Sequence, residues 1–246
     1  MKKVIDKKTM TIYIVLEAVL FLAIKYREII SAYDFTMCVL KYLTVVIDFA
    51  VALKVWFKWR KGQTFCHDDL IFVGICFIFI ADFLLTFLAL VMPNEIPGFF
   101  TFCIVQAIFC KYLEPGKLNI LIRIIFPIVV WIIVYKQNLF TITNAIGLLN
   151  ITLIVVNFVC SWIKYFGEKS LKNQLFALGL TFFAICDVSL LFRRLTEGLV
   201  NEFVRYTVWT AYIPAIMLLT FSFAASVLEN SKVNNIDKKT EELNEY

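Results

Sequence analysis

Apolar residues run through this chain in long unbroken blocks, separated by short polar punctuation. The blocks fall at about Thr9–Ile24, Phe35–Phe57, Leu70–Val91, Gly98–Tyr112, Leu118–Tyr135, Phe140–Ile163, Leu171–Phe192 and Tyr206–Leu228. A helix rises about 1.5 Å per residue and a hydrocarbon core is about 30 Å thick, so most blocks match one crossing and the fourth is short. Barrel strands would alternate polar and apolar positions in stretches of about ten residues, a pattern absent here. The pattern therefore predicts an all-α fold, a polytopic transmembrane helical bundle of about eight spans. Pro93-Asn94-Glu95-Ile96-Pro97 and Glu114-Pro115-Gly116 read as turns between spans. Residues 1–228 form one helical domain, and 229–246 read as a polar tail that frays. There is no internal repeat and no Gly-rich phosphate loop. The N-terminus places Met1-Lys2-Lys3 and Lys7-Lys8 ahead of the first block. No small-x-small cleavage site follows, so this block is expected to be an uncleaved first span.

Composition strengthens the membrane reading. Of the 246 residues, 61% are hydrophobic and 17% charged, against about 45–50% and about 25% in soluble domains. Mean hydropathy is +0.82, and Phe alone occurs 25 times. Lipid solvates that much apolar surface, whereas one soluble core could not hide it. The net charge of +5 comes largely from lysines flanking spans, so it points to insertion and away from nucleic acid. With the N-terminus inside, about 17 of the 24 Lys and Arg residues fall on inner connections and about 6 on outer ones. That bias places both ends in the cytoplasm, favours an even number of spans, and predicts a multi-pass protein of the cell membrane. Seven cysteines include no C-x-x-C pair and lie mostly in apolar blocks, where they read as packing residues.

Ionisable residues inside spans are costly and therefore mark function. Glu17, Lys41, Asp48, Asp82 and Asp187 are the candidates, with Gln106 as a polar companion. Helical rise puts Asp82 roughly 18 Å, Asp187 roughly 24 Å, Lys41 roughly 21 Å and Gln106 roughly 18 Å from the inner face. These four share one slab, which suggests one polar site between helices. Glu17 and Asp48 come out shallower, at roughly 10–12 Å, as a second polar spot or the floor of the same site. One bland alternative is that Lys41 neutralises an Asp and staples two helices. Two acids with one base leave an acid over, and a carboxyl pair with one proton suits general acid–base chemistry. His67, in Cys66-His67-Asp68-Asp69, is the only histidine and reads as part of a helix-start cluster. A lone histidine does not supply the ligand set of a catalytic zinc, and no nucleophile–His–acid set lies at the depth of the site.

At these residues the chain resembles the YhhN-like lysoplasmalogenase family over roughly residues 35–225. Lys41-Tyr42-Leu43 resembles the family's Lys-Pro-(Leu/Thr), and Phe79-Ile80-Ala81-Asp82-Phe83-Leu84 its Gly-Asp-x-x-Leu. Gly98, Phe102, Gln106 and Phe109 match a spacing of Gly, Phe, His and Tyr. Phe183-Ala184-Ile185-Cys186-Asp187 is similar to Phe-x-x-Ser-Asp, and Tyr212-Ile213-Pro214-Ala215 to Tyr-x-x-Ala-Gln. The chain departs from the pattern at Ala81, Gln106, Phe109 and Ile216, which stand for Gly, His, Tyr and Gln.

The resemblance implies hydrolysis of the vinyl ether bond of a lysophospholipid, releasing a fatty aldehyde. That reaction needs a proton donor, a carboxylate that stabilises the cation and activates water, and an apolar slot. It needs neither cofactor nor metal. The expected catalytic residues are Asp82 and Asp187, with Lys41, Gln106 and Tyr212 as substrate-binding residues and a membrane lipid or lysophospholipid as partner. Two other readings stay open. Acids at mid-depth also suit a small proton-coupled transporter, although no matching pair of Gly/Pro-broken segments marks one. The departures at Gln106, Phe109 and Ile216 also suit a non-catalytic lipid-binding or sensor protein.

Overall fold

The computed structural model of the chain describes residues 6–30, 34–60, 65–88, 91, 94–114, 117–136, 141–195 and 198–244. Among them are eight α-helices and no strand: α1 (Lys7–Ile29), α2 (Phe35–Arg60), α3 (Asp69–Phe83), α4 (Ile96–Leu113), α5 (Lys117–Lys136), α6 (Ile142–Gly167), α7 (Leu171–Leu195) and α8 (Gly198–Asn244). A five-residue π-helix, Leu84–Leu88, continues α3. Seven helices among the described residues, all but α5, are long and apolar enough to cross a membrane. The chain is an integral membrane protein by that measure. The stretch expected as the fifth span is helix α5, part of whose side chains lie outside the described residues.

Local signals account for the helix ends. Asp6 caps α1, accepting from the Thr9 amide at 2.7 Å and from its hydroxyl at 2.8 Å. Asp34 does the same for α2, accepting from the Met37 amide at 3.1 Å while Arg27 Nη2 pairs with it at 2.6 Å. The amide, and then the guanidinium, hold the Asp34 carboxyl below the usual carboxylate range. Pro97 occupies the first turn of α4, where a missing N–H costs nothing. Glu114 closes α4 in the left-handed region at φ 46°. The rest of that turn, Pro115 and Gly116, lies outside the described residues.

Two helices run longer than their apolar blocks. Helix α1 continues five residues past Ile24, which takes Glu28 into a fully buried position. Helix α8 continues through the polar stretch that composition alone expects to fray, ending at Asn244. Its polar part is anchored at the start: Asn230 Nδ2 donates to Asp68 Oδ2 at 3.0 Å, and Lys172 Nζ pairs with the same oxygen at 3.2 Å. The helix-start cluster around His67 thus ties the head of α3 to α7 and α8. His67 itself meets the Tyr112 carbonyl at 2.7 Å and Glu114 at 3.3 Å.

Six helices close a ring in the order α2, α3, α4, α6, α7, α8, with α3 and α8 also touching across it. Helix α1 lies outside on the seam of α2 and α8, and α5 lies outside on α6. Their outer faces stay apolar and exposed, as at Leu16, Val19 and Leu22 on α1 and Ile124, Ile128 and Ile132 on α5. Lipid is the solvent for such faces. Where helices meet, small residues let the backbones close up. Gly179 brings α7 against α8, because a Cβ there would stand 3.1 Å from the Leu219 side chain and 3.2 Å from the Ala215 carbonyl. Gly74 makes room for the ring of Phe109, which an added Cβ would run into. Phe109 then packs edge-on against Phe176 at 5.3 Å, joining α3, α4 and α7.

Candidate functional site

The ring brings Asp82 and Asp187 together from opposite flanks. Asp82 sits at the end of α3, 7% exposed, and Asp187 in the last third of α7, 8% exposed. The charge of Asp187 acts on Asp82, and both carboxyls act on Tyr212. Each carboxyl is held by a donor from another helix. The Tyr212 hydroxyl, on α8, donates to Asp82 Oδ2. Asn150 Nδ2, on α6, donates to Asp187 Oδ2 at 2.7 Å. Four helices thus each contribute one polar group to a single buried cluster. The remaining walls are aromatic: Phe183 packs on Tyr212 at 5.6 Å and on Phe102 at 5.7 Å. Tyr42 of α2 faces the same carboxyl of Asp82 and packs at a tilt on Phe79 at 5.5 Å.

Local sequence explains why Asp82 points inward. Ile75, Ile78 and Asp82 recur at helical spacing on the buried face of α3. The π-helix begins two residues after Asp82, and such wide turns loosen the backbone ladder where function needs it. Gly98 lets α4 lie against this turn, since an added Cβ would run into the Leu85 side chain and stand 3.4 Å from the Ala81 carbonyl. The end of α3 is therefore set by the crossing with α4.

The other expected residues lie around this centre. Tyr212 is in it. Lys41 lies toward the α1 side, with its amino group 4.8 Å above the Trp209 ring and 3.9 Å from Glu28 Oε1. Trp209 in turn packs on Tyr212 at 5.1 Å, so one aromatic ring separates Lys41 from the carboxyl cluster. Lys25 reaches Glu28 at 2.7 Å, so Glu28 gathers two lysines at this mouth. Gln106 is fully buried on α4, and its Oε1 accepts from Asn157 Nδ2 at 2.8 Å. Asn157 lies seven residues, about 10 Å of helix, from Asn150. Gln106 therefore belongs to the layer next to the carboxyls, and its Nε2 is buried without a hydrogen bond.

Sequence reasoning missed Asn150, Asn157 and Glu28. The asparagines left a signal: two amides seven residues apart in an apolar block share one helix face. Glu28 left none, because Lys25, Arg27 and Glu28 read as a polar loop. Among the described residues no three His, Cys, Asp or Glu side chains group as a metal site. The chain matches no family model, no curated protein and no solved structure.

Proposed function

We propose that this protein is a membrane-embedded hydrolase of the lysoplasmalogenase type, which cleaves the vinyl ether bond of a lysophospholipid. The carrying observation is the meeting of Asp82 and Asp187 inside the ring, each fixed by a donor from a different helix. A vinyl ether is hydrated when an acid protonates its β-carbon. The oxocarbenium-like ion that forms takes up water, and the hemiacetal collapses to aldehyde and alcohol. Asp82 and Asp187 divide the two tasks, one delivering the proton and the other stabilising the cation and taking a proton from water. Tyr212 keeps Asp82 aimed, and Asn150 does the same for Asp187. The aromatic walls from Phe102, Phe183 and Tyr42 suit an alkenyl chain. Lys41 stands one ring away and shares Glu28 with Lys25, and a lysolipid phosphate would be met there. The resemblance of the sequence motifs to the YhhN-like family supports the same reading. In this reading the chain crosses the cell membrane eight times, with α5 as a span and both ends cytoplasmic.

The test compares substrates on the purified protein in detergent. Aldehyde release from a lysoplasmalogen, without fatty-acid release from the ester lysolipid of the same head group, is the expected result. A folded sample that releases no aldehyde overturns the reading.

A further inference from the structure

A second set of buried polar groups lies where α1, α2 and α8 meet, outside the ring. The proposed hydrolysis does not use it. Glu17 is 1% exposed, Tyr13 3%, and Asp48 and Thr220 are fully buried. The Tyr13 hydroxyl donates to Asp48 Oδ1. The charges of Glu17 and Asp48 act on one another and on Tyr13, and the Thr220 hydroxyl lies beside that of Tyr13. Phe221 closes over Tyr13 with its ring centre 5.4 Å away.

What distinguishes this cluster is its unused oxygens. Glu17 Oε1 and Oε2, Asp48 Oδ2 and Thr220 Oγ1 are all buried without a hydrogen bond. Among the ion pairs of the described residues none engages Glu17 or Asp48. The lysine nearest along α2, Lys54, is directed to Thr9 at the exposed end, 3.1 Å from its hydroxyl. Two acids sealed within adjoining helices with no base, beside a Thr220 hydroxyl that finds no partner, are unfavourable as carboxylates unless a cation joins them. Carboxylate and hydroxyl oxygens, with no sulfur or imidazole, are the donor set of hard cations.

We propose that Glu17, Asp48, Tyr13 and Thr220 form an intramembrane site for a hard cation held by oxygen alone. The four unengaged oxygens fall short of the six to eight that Ca²⁺ takes, so a sodium ion fits best. Because the site joins α1 to α2 and α8, occupancy stabilises the seam between α1 and the ring.

The test uses the full chain in detergent at constant ionic strength, with choline chloride exchanged for NaCl, KCl or CaCl2. The expected result is a saturable rise in Tm of several degrees with Na⁺, smaller with K⁺ and Ca²⁺ and absent with choline; a rise larger with K⁺ or Ca²⁺ than with Na⁺ overturns the sodium assignment. Glu17→Gln and Asp48→Asn should lose the rise, and Thr220→Val should raise the half-saturating concentration about tenfold. A second readout needs no variant: a hydrophobic carbodiimide should modify Glu17 in choline, and the cation should reduce that labelling severalfold. Equal Tm and equal labelling in all salts overturn the proposal, as does a rise that persists in both carboxyl variants. Neither readout depends on aldehyde release, so the site and the hydrolase reading fail separately.

Discussion

Asp82 and Tyr212 show how much one residue can carry. A carboxyl at the end of α3 is useful only if it is aimed, and the phenol of α8 aims it. Tyr212→Phe removes that hydrogen bond and little volume. It should lower kcat about 10²-fold with a small change in KM, in the range of positioned acid–base groups; steady-state aldehyde kinetics check this. The two Asp residues were legible in the sequence because charge in an apolar block is costly and stands out. Asn150 and Asn157 were not, because an amide carries no charge and hides among apolar neighbours. Glu28 hid for another reason: only the extra turn and a half of α1 takes it out of the apparent loop. Packing residues test separately. Phe109 is fully buried over Gly74. In lipid the transfer part of a Phe→Ala change largely falls away and the cavity part remains, so Phe109→Ala should cost about 2 kcal/mol. Thermal unfolding in detergent measures it, and no loss would mean that α4 collapses into the gap.

At the scale of elements, the junction of α3 and α4 governs the site. The π-helix after Asp82 and Gly98 on α4 are one device, because the turn fits only against a backbone without a side chain. Gly98→Leu should push Leu85 aside, shift Asp82, and reduce aldehyde release at least tenfold, while the loss of Tm stays modest. A comparison of kcat with Tm checks that split. Periodicity predicted α3 as one apolar stretch, but a π-helix has no sequence signature of its own and emerges only from packing. The start of α2 has a different control. The Asp34 carboxyl lies below its ordinary range because of the Met37 amide and Arg27. A lowered folded value means that its contribution is complete above the ordinary carboxyl range and is lost as pH falls through the lowered value. Hydrogen exchange at Met37 and Cys38, corrected for intrinsic rate, should therefore speed up as the medium is acidified. Asp34→Ala should show that faster exchange already at neutral pH.

For the molecule as a whole, hydropathy made the helices readable, and tertiary packing decided what they enclose. No feature of the sequence says that α1 and α5 stand outside a ring of six, because ring order depends on which faces interlock. The lengthening of α8 through its polar end likewise depends on Asn230 finding Asp68. The proposed orientation of the C-terminus has its own check: a fluorescent protein fused after Tyr246 should fluoresce in the cytoplasm, and a periplasmic reporter there should stay silent. The reverse pattern contradicts the assigned orientation. The proposed hydrolysis rests on two carboxyls from opposite flanks of the ring acting together. The measurement that reaches it most directly is aldehyde release from a lysoplasmalogen in D2O, by the native chain beside Asp82→Asn and Asp187→Asn. The native protein should put one deuterium on the carbon next to the aldehyde. Each substitution, with Tm retained, should cut turnover by at least about 10³-fold. Turnover that survives either substitution in a folded protein, or aldehyde formed without deuterium at that carbon, would contradict it.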